Sequence, residues 1–101
     1  MRLYHVTDEG PNIVANGFDP TKRRDESIAE GLHWLADSVD GTGSGYGRAH
    51  IVSVEVPDEV AEQYRYRFED GTPYLGNFLF PTDVINRYHH TFRWEPRATE
   101  P

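Results

Sequence analysis

In residues 50–56, valine occupies every second position from residue 52 onward, and alternate positions of an extended chain face the same way. Val52, Val54 and Val56 share one side, and Pro57 follows directly. Because successive side chains of a β-strand point to opposite faces, this pattern predicts a strand with one buried face. Similar reasoning predicts further short strands over residues 2–6, 32–36, 64–69, 73–80 and 89–94.

Two short helices are expected between these strands. Asp8 is placed to cap a helix over residues 9–16, which Gly17 ends, and a single helical turn is expected over residues 58–62. The connections are too short for helical crossovers between parallel strands. The pattern therefore predicts an α+β fold whose core is a small, mostly antiparallel, split β-sheet with one or two short helices.

Length and composition narrow the classes of function. A chain of 101 residues predicts a single domain, placed over residues 1–95, with a flexible tail over residues 96–101. The formal net charge of −7 disfavours binding to a nucleic-acid backbone, which depends on Lys and Arg. Cysteine is absent and the histidines lack zinc-site spacing, so no metal is expected. With no apolar run or leader, we expect a cytoplasmic protein without membrane contact. We also expect a monomer.

The candidate site begins in the first strand, Tyr4-His5-Val6-Thr7. His5 and Thr7 are two positions apart, so both side chains share one face and can meet one ligand. Two further clusters are Gly31-Leu32-His33-Trp34 and the glycine-rich run over residues 41–47, which contains Tyr46. Taken singly, His5 is more often a structurally satisfied histidine, Trp34 a packing residue and the glycine run a plain loop.

The order and spacing of these clusters resemble the ADP-ribosyltransferases of the diphtheria-toxin and poly(ADP-ribose) polymerase type. The first strand is similar to that family's aromatic-His-Gly-Thr motif, with Val6 in place of glycine. Gly31-Leu32-His33-Trp34 followed by Tyr46 is similar to its Gly-x-Tyr-Phe motif and later tyrosine, and Asn77 stands where its catalytic glutamate opens a strand. The resemblance covers residues 3–88 and implies an ADP-ribosyltransferase-like fold.

The resemblance implies that NAD binds against the first strand as a substrate. The backbone N–H and C=O of Val6 would pair with the nicotinamide carboxamide, to which the Thr7 hydroxyl would also donate. His5 would hydrogen-bond the ribose, and Tyr46 would stack on the nicotinamide ring, with His33 in place of a second stacking tyrosine. His5 and Asn77 are the implied catalytic residues, although the amide of Asn77 lacks the negative charge of the family's glutamate.

The implied function is transfer of ADP-ribose from NAD to an unknown acceptor, a protein, nucleic acid or small molecule, with release of nicotinamide. Asn77 favours an alternative, a binding module for NAD, ADP-ribose or a partner protein without transfer. A second alternative is an enzyme like the RNA 2′-phosphotransferases, which depend on several arginines, here Arg48, Arg65 and Arg67. A surface that stacks single-stranded nucleic acid is disfavoured by the net charge, and alternation predicts that Tyr64 and Tyr66 face the core.

Overall fold

The computed structural model of the chain describes residues 1–21, 31–39 and 49–97. These residues form a small α+β fold with six strands and a few short helices. In chain order the elements are β1 (Arg2–Thr7), α1 (Gly10–Asn16), β2 (Leu32–Ala36), β3 (His50–Glu55), α2 (Asp58–Gln63), β4 (Arg65–Arg67), β5 (Pro73–Pro81), α3 (Thr82–Ile85), a 3₁₀ helix (Asn86–Thr91) and β6 (Arg93–Pro96).

The six strands form one sheet in the order β4-β5-β2-β1-β3-β6. Every described pairing between neighbouring strands is antiparallel, as the short connections predict. The sheet is continuous and not split into two, but the described strands β1 and β2 share a single register pair, Tyr4↔Ala36. By contrast, β1 and β3 are paired over six positions. The join between β1 and β2 is therefore the weakest in the sheet.

One face of the sheet carries the hydrophobic core, and we call it the covered face. Cross-strand partners share a face, so the registers place His5, Leu35 and Phe78 together on this face. The alternating valines of β3 are confirmed as buried, with Val52 and Val54 each 1% exposed. All described helices except the 3₁₀ helix bury core residues here, namely Ile13 of α1, Ala61 of α2, and Val84 and Ile85 of α3.

The opposite face of the sheet, which we call the aromatic face, carries a group of ring side chains. Trp34 lies 5.0 Å from Tyr66 between ring centroids, and Tyr66 lies 5.7 Å from Tyr74. Tyr66 is 38% exposed, so the prediction that it faces the core is wrong. Tyr64 does pack on the core, against Phe80, because it ends α2 with φ −115° and ψ 14° and is not part of the extended strand.

The C-terminal strand lies further along the chain than expected. Residues 86–91 form the 3₁₀ helix, in which Thr91 Oγ1 donates to the Tyr88 carbonyl at 2.7 Å. Strand β6 then runs to Pro96, which pairs with His50. Proline is tolerated there because β6 is an edge strand. The expected tail therefore does not begin at residue 96, and residues 98–101 lie outside the described part of the chain.

The start of α1 is also built differently from the prediction. The helix forms and ends at Gly17, which has φ 83°, but the Asp8 carboxylate does not cap it. Asp8 Oδ1 instead accepts a hydrogen bond from the N–H of Ala49, at 2.9 Å, at the entry to β3. The first turn is held by Thr7, whose hydroxyl oxygen accepts from the N–H of Glu9 at 3.0 Å. Asp8 thus ties the helix start to β3.

Candidate functional site

The candidate site lies beside the single register pair of β1 and β2. That pair is Tyr4↔Ala36, and no further pair is described between the two strands. We call the junction between residues 5–7 of β1 and residues 32–34 of β2 the seam. Backbone polar groups that a ladder does not pair can bind a ligand.

Val6 directs its backbone N–H and C=O into the seam. Successive residues of a strand send these groups to alternate sides. The carbonyl of Met1 accepts from the N–H of Val56 at 2.9 Å, so odd-numbered residues of this segment face β3. Even-numbered Val6 therefore faces β2, where Trp34 would be its partner. A donor and an acceptor side by side on a strand suit a planar carboxamide, which carries the complementary pair.

His5 bridges the seam with its side chain. Its ring Nδ1 lies 2.8 Å from the Trp34 carbonyl oxygen. Because a carbonyl can only accept, Nδ1 carries a proton and donates it to Trp34. The imidazole thus binds the carbonyl that continued pairing between β1 and β2 would have used. This hydrogen bond fixes the orientation of the His5 ring across the seam.

His33 lies beside His5 on the covered face and is 6% exposed. Its Nε2 is 2.7 Å from Thr82 Oγ1, at the start of α3. The Thr82 hydroxyl also lies 3.2 Å from the Gly31 carbonyl, which accepts the Thr82 backbone N–H at 2.8 Å. The start of α3 is therefore anchored to Gly31, directly before β2, through a backbone bond, and to β2 through the His33 side chain.

Phe18 packs over both imidazoles. Its ring centroid is 5.0 Å from that of His5, in an edge-to-face arrangement, and 4.7 Å from that of His33. The Asn86 side chain holds Phe18 by both backbone groups, since Asn86 Oδ1 accepts from the Phe18 N–H at 2.8 Å and Asn86 Nδ2 donates to its carbonyl at 3.1 Å. Glycine is needed before Phe18 because a Cβ on Gly17 would lie 2.9 Å from Asn86 Oδ1.

This packing sets the charge of the site. Burial and, to a smaller extent, the neighbouring His5 lower the pKa of His33 to about 4, against the opposing effect of the negative charge of Asp19. His33 is therefore neutral at pH 7. Asp19 is a carboxylate whose field reaches the site, although its Oδ1 also accepts from the backbone N–H of Thr21 at 2.8 Å.

The structure brings together four of the residues expected from sequence. His5, Val6 and Thr7 line one side of the seam, and His33 lies on β2 at the other. Thr7 Oγ1 accepts from a backbone N–H, which leaves its own proton to donate to a ligand. Tyr46, the expected stacking residue, lies outside the described residues.

Asn77 is not brought to the face that His5 and His33 share. It pairs with Ala36, which pairs with Tyr4, so its side chain lies on the aromatic face. There it is 7% exposed, and its Nδ2 donates to the Leu75 carbonyl at a long 3.4 Å. A role for Asn77 beside His5 would need a ligand that reaches through or around the sheet.

Sequence reasoning missed Phe18 and Thr82, which complete the site. A weak signal existed for Phe18, because a large apolar residue after a helix-ending glycine often packs back on the structure. Thr82 follows Pro81 at a helix start, a context that indicates capping rather than contact with a histidine. Phe18 is 15 residues and Thr82 is 49 residues away from His33 along the chain, so no local sequence pattern could predict either contact.

The described residues contain no group of three or more His, Cys, Asp or Glu side chains arranged to hold a metal ion. Within the same residues, no helix has both the length and the apolar character needed to cross a membrane. Comparisons of the chain with protein-family models, with curated proteins and with solved structures found no match.

Proposed function

We propose that the chain is an ADP-ribosyltransferase-like domain that binds NAD at the seam and transfers ADP-ribose to an acceptor, with release of nicotinamide. The observation that carries the proposal is the seam itself, with the Val6 backbone groups directed into it and His5 bonded across it to Trp34. A nicotinamide carboxamide presents one acceptor and one donor in a plane, the complement of that backbone pair.

In this proposal the carboxamide pairs with Val6 and accepts from the Thr7 hydroxyl. His5 hydrogen-bonds the adjoining ribose, and Tyr46 stacks on the nicotinamide ring. In the reaction, the bond from ribose C1′ to the nicotinamide nitrogen breaks and its electron pair leaves with nicotinamide. The acceptor nucleophile then bonds to C1′ and loses its proton. Positive charge developing on the ribose needs a carboxylate, and Asp19 is a described carboxylate whose charge reaches His33.

A binding module without transfer is the second candidate function. It is favoured by the position of Asn77, which lies on the aromatic face and supplies neither negative charge nor a direct contact to the His5 side of the sheet. In this case the seam would bind NAD or ADP-ribose and leave the glycosidic bond intact.

An RNA 2′-phosphotransferase-like activity has less support among the described residues. Two of its candidate arginines lie on β4, which β5 and β2 separate from β1. Arg65 is paired with Glu62 and stacks 4.7 Å above the Phe78 ring, and Arg67 donates to the Gly71 carbonyl. Neither side chain is directed to a phosphate beside His5. Arg48 lies outside the described residues.

Nicotinamide release from NAD, measured together with calorimetric NAD binding, separates the two leading functions. Binding with release supports the transferase. In that case, the rate of nicotinamide release should decrease in Asp19→Asn without an equal loss of affinity for NAD. Binding without release would leave the binding module, and absence of NAD binding would exclude both.

Residue-level variants test the location of the site. His5→Ala and Tyr46→Ala should each weaken NAD binding by about 1–3 kcal/mol, because a hydrogen bond and a ring stack are lost. His90→Ala is the matched control, since His90 is an exposed histidine on the 3₁₀ helix. Unchanged affinity in both site variants would place NAD elsewhere.

A further inference from the structure

We propose that Thr82 holds His33 as the Nε2–H tautomer, so that the site recognises a neutral ligand group that donates a hydrogen bond, a hydroxyl or an amide N–H, rather than a phosphate. The inference rests on the proposed function and names the kind of ligand group that His33 contacts. Thr82 acts through His33 and is therefore a positioning residue.

The tautomer follows from the direction of two hydrogen bonds. The Gly31 carbonyl can only accept, and it lies 3.2 Å from the Thr82 hydroxyl. A threonine hydroxyl has one proton and can also accept. Both contacts are hydrogen bonds at the same time only when the hydroxyl donates to Gly31 and the imidazole donates to Thr82 Oγ1 across the 2.7 Å contact. Nε2 carries the ring proton, and Nδ1 carries the lone pair.

The Nδ1 atom of His33 retains contact with solvent. Among the described residues, each side-chain nitrogen or oxygen that is fully shielded from solvent has a hydrogen-bond partner. The described hydrogen bond of the His33 ring is made by Nε2, so Nδ1 is not one of the shielded atoms. Yet the residue as a whole is 94% buried, since its exposed fraction is 6%. A buried ring with one accessible acceptor is suited to a ligand that supplies a donor.

The electrostatics of His33 disfavour a phosphate partner. Burial lowers its pKa to about 4, so at pH 7 the ring offers a lone pair and no positive charge. A phosphate brings acceptor oxygens with negative charge, which a neutral acceptor nitrogen repels. Hydroxyl and amide N–H groups can donate a hydrogen bond to this lone pair. The ribose hydroxyls and the carboxamide of NAD both belong to this class.

The tautomer can be measured without any ligand, by long-range proton–nitrogen NMR of the imidazoles. We expect the wild type and Thr82→Ser to show the Nε2–H pattern for His33, because both retain the hydroxyl. Thr82→Val keeps the shape of the side chain but loses the oxygen, and it should show a mixture of tautomers. An Nδ1–H pattern in the wild type would overturn the proposal.

Ligand recognition is tested with nicotinamide, adenosine and inorganic phosphate as separate probes. A shift of the His33 Nδ1 resonance with nicotinamide assigns the amide, a shift with adenosine assigns a ribose hydroxyl, and either supports the proposal. Thr82→Val should weaken binding of that probe about tenfold, and Thr82→Ser much less. A phosphate-induced shift, or no shift with either neutral probe, would overturn it. The tautomer and the binding of the neutral probes are measured without NAD. If NAD does not bind but these measurements give the expected results, the proposed function is wrong and the assignment of His33 stands.

Discussion

His33 should make the stability of the protein sensitive to mild acid. Its pKa is about 4 in the folded protein and 6.5 in the unfolded chain, so the unfolded state takes up a proton first as the pH falls. The free energy of unfolding is therefore undiminished above pH 6.5 and decreases as the pH falls from 6.5 toward 4. The gap corresponds to at most about 3 kcal/mol, and solvent screening reduces it to about 1–3 kcal/mol.

The measurement is urea unfolding at pH 7 and at about pH 4.5, for the wild type and for His33→Gln. Glutamine cannot titrate, but its amide can still donate to Thr82 Oγ1, so the variant should lose less stability across this interval. His90→Gln, which removes an exposed imidazole, is the matched control. The pKa values of Glu62 and Asp70 are also lowered, by hydrogen bonds with Arg65 and Thr72, and both groups titrate mainly below the interval. Equal losses in the wild type and His33→Gln would refute the reasoning.

Two further substitutions test the placement of the site residues. Asn77→Glu introduces the carboxylate that the resemblance implies. We expect no gain in nicotinamide release and a loss of about 2–4 kcal/mol in stability, because the charge is buried on the aromatic face. Increased release would contradict this placement. Asn86→Asp keeps the acceptor for the Phe18 N–H but loses the donor to its carbonyl, so urea unfolding should show a loss of about 1–3 kcal/mol. Asn12→Asp is its control, since Asn12 is exposed and its Oδ1 accepts from Asn16, a role that a carboxylate keeps. An equal loss there would show that the Phe18 contacts are not responsible.

Much of the fold could be predicted because its signals are local. The alternation in β3 and the apolar run of β2 identify these strands, and Gly17 marks the end of α1. Short connections were enough to predict antiparallel pairing. The seam could not be predicted, because it depends on how far β1 and β2 continue their pairing.

The face that each residue occupies was harder to predict where alternation is interrupted. Gly76 has φ 85°, and the pairing of β4 with β5 is irregular, with Arg65 opposite Phe78 and Arg67 opposite Pro73. Strict alternation would place Tyr74 on the same face as Phe78, but the bulge turns it to the aromatic face. Asn77 follows Gly76 directly, so its face could not be read from the sequence pattern.

The short pairing between β1 and β2 has a consequence for local opening of the sheet. A central strand usually holds the slowest-exchanging amides of a domain, since its backbone is bonded on both sides. Here the N–H of Val6 faces the seam, where no register pair is described, whereas Tyr4 lies at the described pair with β2 and the N–H of His5 faces β3. We expect the Val6 amide to exchange with deuterium faster than its neighbours in β1, and NAD to slow it. The sheet would then open first in its middle, at the seam, and the carboxamide of bound NAD would suppress this opening.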